Sequence, residues 1–425
     1  MRWRDVYKYW NVRRIWQVLL IGVPFFHCIY LSVLWCQWNV FTSVENGFDN
    51  TGSVNSNRWP ECERIIAGES SISALSELKY SKTPLTLPYN DCELLKTFTG
   101  VPAWLSEEER SFPIAYSISA YESLNQLLRL LRLIYRQQNL YCVHIDAKAS
   151  RLFTERAFRS IRCFSPNVFL VPDQLRVNVK WGYFSVLEAS LICANLSLQN
   201  NRIKWRYLLN VNEKELPLRT NWELVTALKA LNGSNMVQLS PGNWSHRVPS
   251  KPLSFNITWR KGSYLVALRR EFVQFMLTDR RAVEMLEAFR AERDLLKVPD
   301  EMFFASLAYN PQLGAPGACI HPVVHKNTDR RSWQLARFVD WNWRRCVSNH
   351  SRNEICIFGV ADLPRLIRMP HLFANKFLPN FQPVAYDCME YWHACKLRRE
   401  WTRKTLDPQF SSELFSNLYC STNHI

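Results

Sequence analysis

Two acids, Asp300 and Glu301, stand directly behind Pro299, and the apolar run Met302-Phe303-Phe304 follows at once. A proline steers the residue before it toward extended backbone, and acids suit the first turn of a helix. The segment therefore reads as an extended Val298 leading into a helix whose first turn carries carboxylates. A carboxylate fixed by backbone in this way can act as a general base, taking a proton from a hydroxyl nucleophile. A second group of polar or small residues stands where strands end: Ser119, Ala120 and Tyr121, then Asp146, then Asn212.

The elements that must position these residues are legible from periodicity. Phe112 to Ser119 reads as a buried strand, Leu124 to Tyr135 has helical apolar spacing, and Leu140 to Asp146 reads as a second strand. The leucine stripe in that helix spans under three heptads, so it belongs to a core and not to a zipper. Asn167 to Val171 gives another strand, Phe184 to Leu198 another helix, and Trp205 to Asn212 a further strand. Strand, helix, strand is the start of a parallel α/β sheet. Ligands of such sheets sit beyond the carboxyl ends of the strands, which is where the polar residues fall.

Composition sets the class and the address. Hydrophobic residues make up 47% of the 425, with 17 Trp and 24 Phe, ample for a packed core. Residues 1–14 are basic, and residues 15–38 are apolar and free of Asp, Glu, Lys and Arg. A bilayer-spanning helix needs roughly 20 such residues, so 15–38 reads as a transmembrane signal anchor. The positive-inside rule leaves 1–14 as a cytosolic tail. A cleaved signal is the alternative, and in either case the bulk of the chain is lumenal or extracellular. Residues 39–60 are polar and aperiodic, a stem, and 61–425 form the lumenal domain. Eleven cysteines lie beyond residue 38 without paired CxxC spacing, so disulfides are their natural use. An odd count leaves at least one thiol free or bonded to another chain. Asn195, Asn232, Asn243, Asn256 and Asn349 head glycosylation sequons. The net charge of +16 is spread out, and a lumenal domain meets no nucleic acid; nucleotide sugars, acidic glycans and membrane surfaces are the anionic partners left.

An ordered set of segments then resembles the core 2 type β-1,6-N-acetylglucosaminyltransferases of glycosyltransferase family 14. The set runs Phe112-Pro-Ile-Ala-Tyr-Ser-Ile, Tyr141-Cys-Val-His-Ile-Asp146, Trp205 through Asn221, Lys261-Gly-Ser-Tyr-Leu-Val, Pro299-Asp-Glu301, Ala336 through Trp343, Cys356 through Leu363, and His371-Leu-Phe-Ala-Asn-Lys376-Phe. The resemblance covers roughly residues 60 to 390 and implies an α/β, GT-A-like (Rossmann-like) glycosyltransferase domain in a single-pass type II protein of the Golgi membrane. It implies transfer of GlcNAc from UDP-GlcNAc in β-1,6 linkage to O-glycosylated glycoprotein acceptors of the Galβ1-3GalNAc type, with inversion. A related UDP-glucose or UDP-xylose transferase and a catalytically silent, lectin-like member are the alternatives.

Residue by residue, the resemblance makes Glu301 the catalytic base and assigns Asp146, Trp181, Ser119, Ala120, Arg352 and Lys376 to the UDP-sugar. Arg352 stands one residue further from Cys356 than the family pattern. Trp341 and Trp343 match aromatics that pack against the acceptor. Many transferases of this fold hold a divalent metal with Asp-x-Asp, and none occurs in this sequence. The family is metal-independent and places basic side chains, here Lys376 and Arg352, against the leaving diphosphate, so no cofactor is expected. The implied bridges are Cys62–Cys388, Cys92–Cys163, Cys142–Cys193 and Cys346–Cys356, with Cys319, Cys395 and Cys420 left over. Two departures stand out: the stretch between Trp343 and Cys346 is short, and the family's charged acceptor cluster is not recognisable between Gln238 and Arg247.

Overall fold

The computed structural model describes residues 59–69, 91–99, 104–341, 346–378 and 380–425. The chain divides at Glu61 and Cys62, and everything below concerns the unit Cys62–Ile425. The expected cytosolic tail, signal anchor and most of the stem lie outside the described residues. Among the described residues no helix is long and apolar enough to cross a membrane.

Five strands form the central sheet: β1 (Ile114–Ala120), β2 (Leu140–Ile145), β3 (Val168–Leu170), β4 (Tyr207–Asn212) and, after β5 (Glu215–Pro217), β6 (Ala267–Arg269). Their order is β3-β2-β1-β4-β6, parallel except for β6. Residues of β1 and β2 are buried on both faces almost without exception. That is why both strands read as continuous apolar runs and not as alternating ones.

The crossover helix α1 (Leu124–Ile134) starts where the Ser123 hydroxyl accepts the Gln126 N–H, a side-chain cap. It buries Leu124, Leu127, Leu128 and Leu131, each contributing about 1.5–3 kcal/mol by leaving water. Helix α2 (Arg151–Arg162) follows β2, and α3 (Phe184–Gln199) packs on β1 and β2. Helix α4 (Asn221–Ala230) follows β5. On the α3 side the core gathers Phe184, Leu187, Trp205, Leu208, Phe272, Phe289, Phe303 and Phe304. These include α5 (Arg270–Thr278), α6 (Arg280–Ala291) and α7 (Pro299–Ala308) in one apolar body.

A second sheet has the order β5-β10-β7, with β7 at Arg337–Val339 and β10 at Phe373–Asn375. Between them lies a hairpin of β8 (Ser351–Arg352) and β9 (Ile355–Cys356). The long helix α8 (Val384–Arg403) returns to α1, where Arg129 bonds Glu390 and Asp387 at 2.7 Å each. The four bridges that the resemblance implies are all present. A fifth joins Cys319 to Cys420, two of the cysteines left over, and Cys395 is not a free thiol. The expected free or intermolecular thiol is therefore not found among the described cysteines.

Candidate active site

The carboxyl ends of β1, β2 and β4 lie side by side, because Ala120 pairs with Ile145 and Ser119 with Asn212. Asp146 follows β2 and is almost wholly buried. Its backbone N–H donates to the Ala120 carbonyl at 3.0 Å, and its Oδ1 accepts the Lys148 N–H at 3.0 Å. The Lys148 ammonium bonds both Asp146 Oδ2 and the Val179 carbonyl. Arg176 donates to the carbonyls of Ile145 and Asp146 at 2.9 Å each. His144 Nε2 accepts the Val177 N–H at 3.1 Å. Burial pushes that imidazole down to about 4, so it stays neutral and keeps the lone pair this bond needs. Together these contacts tie residues 176–179 to the end of β2, and Trp181 just beyond them stands out, 75% exposed.

At the neighbouring strand ends a buried acid does the fastening. Glu213 accepts the backbone N–H groups of Tyr121 at 3.0 Å and Glu122 at 3.1 Å. Burial raises its pKa, and the two N–H bonds oppose that rise. The half-buried Tyr264 lies beside the side chains of Ser119 and Ser190, and its carbonyl accepts from Asn210 Nδ2 of β4 at 2.5 Å, joining these strands to the segment that begins at Lys261.

Glu301 lies in the first turn of α7, as its sequence context predicts. Val298 corrects the accompanying expectation. It is left-handed, at φ 49° and ψ 55°, not extended. A β-branched residue there costs about 1–3 kcal/mol, and its surroundings hold it. Its N–H donates to the Gly182 carbonyl at 2.8 Å, and its side chain is buried. Gly182 itself has φ +79°, and a Cβ there would come within 2.3 Å of Leu296 Cδ1. The residue after Trp181 thus sets the start of the helix that carries Glu301.

Three further contacts set Glu301. Its carbonyl accepts the Gly262 N–H at 2.7 Å. Its Oε2 accepts from Arg247 Nη1 at 2.5 Å and lies 3.5 Å from Lys261 Nζ. The Trp244 ring stands 4.8 Å from the Arg247 guanidinium and 5.1 Å from the Lys261 ammonium. No described residue donates to Glu301 Oε1, so the carboxylate has one oxygen held and one without a hydrogen bond among the described residues. Asp300 next to it is buried, with Oδ1 lacking a partner among the described residues. Burial, and then the charge of Glu301, push Asp300 up to about 7. Arg247 and Lys261 were not among the site residues read from sequence. They converge on Glu301 from separate segments, and the linear signals were Lys261 at the head of one segment of the resemblance and Arg247 at the end of the stretch where the family's charged cluster is not recognisable.

Lys376 follows β10, and the backbone between β4 and β5 brings Lys214 to it: the Phe377 N–H donates to the Lys214 carbonyl at 2.8 Å. Burial lowers the Lys376 pKa, and the charges of Lys214 and Arg352 lower it further, so the three cations feel one another. Lys214 is balanced by Glu122 at 2.7 Å. Arg352 sits exposed on β8, in the hairpin joined by Cys346–Cys356. Trp341 follows β7 and is 60% exposed, while Trp343 lies outside the described residues. Asn195, Asn232, Asn243, Asn256 and Asn349 are all exposed, as carbohydrate attachment requires. The structure thus links Asp146, Ser119 and Ala120 through strand ends, Glu301 to Ser119 through the Gly262–Tyr264 segment, and Lys376 to Asn212 through Lys214.

Comparison with known proteins turns this geometry into a class. The model of the Core-2/I-Branching enzyme family matches residues 114–367, and the chain belongs to that family, whose members are glycosyltransferases. It is 33% identical over 371 residues to the cattle (Bos taurus) protein named beta-1,3-galactosyl-O-glycosyl-glycoprotein beta-1,6-N-acetylglucosaminyltransferase 3, spanning 77% of this chain and 81% of that one. The zebrafish (Danio rerio) protein of that name numbered 4 is 33% identical over 318 residues, 67% of this chain and 71% of its own. Among solved structures, apo mouse xyloside xylosyltransferase 1 aligns at a TM-score of 0.29 and 14% identity over 62% of this chain and 96% of that one, too slight to carry an argument.

Proposed function

We propose that this enzyme transfers GlcNAc from UDP-GlcNAc to the 6-hydroxyl of GalNAc in Galβ1-3GalNAc-type O-glycans, by a single inverting displacement in the Golgi lumen. The observation that carries the reading is Glu301: a carboxylate fixed at a helix start, with Oε2 held by Arg247 and Oε1 without a hydrogen bond among the described residues. The acceptor hydroxyl gives its proton to Glu301 as its oxygen bonds the anomeric carbon. The bond from that carbon to the diphosphate oxygen breaks, and its electron pair leaves with UDP. Lys376, Lys214 and Arg352 supply positive charge for the diphosphate, so the reaction proceeds without a divalent metal. Asp146, Ser119, Ala120 and Trp181 take the nucleotide end of the donor, and Trp341 and Trp343 offer apolar faces to the acceptor sugar.

The test is transfer by the full chain in detergent, with EDTA, offering UDP-GlcNAc, UDP-glucose and UDP-xylose beside a Glu301→Gln control. EDTA-resistant transfer of GlcNAc that collapses in the control is the expected result. A preference for glucose or xylose would replace the donor. Equal inertness of both proteins toward every donor, with folding intact, would overturn the catalytic reading.

A further inference from the structure

The charges around Glu301 do not balance. Arg247 and Lys261 both face Glu301 Oε2, and the buried Asp300 forms no ion pair with either of them among the described residues. Arg247 uses one nitrogen on Glu301. Lys261 Nζ makes no hydrogen bond to any described residue; its contacts are the 3.5 Å approach to Glu301 and the face of Trp244. Both side chains are about one-fifth exposed, so they reach the site while most of each is held in place. A largely desolvated ammonium with unused donors, beside a guanidinium with unused donors, favours an anion as its partner. The ring under both cations is of the kind on which sugar faces rest.

We infer that the acceptor of this enzyme is an acidic saccharide, whose carboxylate or sulfate is bound by Arg247 and Lys261 while its hydroxyl meets Glu301 Oε1. The inference rests on the reading of Glu301 as the base and names the acceptor class for that site. Lys261 is then a specificity-determining residue, contributing to acceptor selection more than to the displacement itself. An anion at this place completes a set of two cations and two anions, and a neutral acceptor leaves one cation unmatched in a poorly solvated site.

The experiment compares three disaccharides on the full chain in detergent with UDP bound: neutral Galβ1-3GalNAc, the same unit bearing one sialic acid, and the same unit bearing one sulfate ester. Binding is read by saturation-transfer NMR and transfer by product formation, for wild type, Lys261→Met and Lys261→Glu. Wild type should bind at least one acidic form about tenfold more tightly than the neutral one, a preference that shrinks with salt. Lys261→Met should bring the ratio toward one, and Lys261→Glu should invert it. Which acidic form is preferred separates carboxylate from sulfate. Neutral binding equal to or tighter than both acidic forms in wild type would overturn the inference, as would a preference that survives in Lys261→Glu. Acid-selective binding without transfer to any acceptor would leave this inference standing and overturn the transferase reading instead.

Discussion

Around Glu301 two cations meet a carboxylate; around Lys376 three cations meet one another, and among the described residues only Lys214 has an acid of its own. The first cluster fixes a group that must take up a proton, so it is set by partners already in place. The second is short of anions, which suits the proposed role of receiving a diphosphate. The difference separates a cluster organised around an acid of the chain itself from one in which cations outnumber the chain's own acids. It also predicts that removing Glu301 and removing Lys376 will fail in different ways.

The largest expected effect is Glu301→Gln, which should lower kcat by about 10²–10⁴-fold while UDP affinity stays near wild type. Loss of UDP binding in that variant would merge the two clusters and break the comparison. Lys376→Met should do the reverse, weakening UDP binding and lowering kcat/KM by about 10²-fold through lost stabilisation of the diphosphate. Because its pKa is already lowered by burial and by two neighbouring cations, Lys376 loses its charge earlier than an ordinary lysine as pH rises. UDP affinity measured across alkaline pH should therefore fall in wild type and stay flatter in Lys376→Met.

Asp300 sharpens the Glu301 side. Its folded pKa of about 7 lies above its ordinary 3.8, so between those values the folded chain holds a proton that the unfolded chain has lost. Stability from this group is full below about pH 4, falls as pH rises, and levels off above about 7. Asp300→Asn should remove that fall and stabilise by a few kcal/mol at neutral pH, since one unit is worth about 1.4 kcal/mol. Denaturant midpoints across that range measure it, and an unchanged pH profile would refute it. The smallest effect is Gly182→Ala, which should cost about 1–2 kcal/mol through its left-handed backbone and the Leu296 contact. Its thermal midpoint and its kcat together report whether the Trp181 loop truly sets the start of the Glu301 helix.

The sheet was legible because parallel strands buried on both faces leave long apolar runs, and β1, β2 and β4 fall within a few residues of where periodicity puts them. Glu301 was legible because a helix start is a local event. Arg247 and Lys261 were not, since two loops separated by 54 and 40 positions from Glu301 meet it only after the chain folds. Val298 went against local steering because a hydrogen bond to Gly182, more than a hundred residues away, outweighs the preference imposed by Pro299. The Cys319–Cys420 bridge escaped for a similar reason: spacing of 101 residues carries no pairing information, and the resemblance offered no partner.

The bridges also impose an order on synthesis. Cys92–Cys163 and Cys142–Cys193 enclose 71 and 51 positions, and their partners are available while the second half of the chain is still unmade. Cys62–Cys388 spans 326 positions, and Cys319–Cys420 spans 101 and closes only after Cys420 is made. The early half can thus be oxidised during elongation, whereas the closures through Cys388 and Cys420 wait until those residues are made. A chain stopped before Cys388 keeps the whole central sheet and Glu301 but carries Cys62 and Cys319 without their mates. Such a product displays its incompleteness as thiols without mates, Cys62 and Cys319 among them.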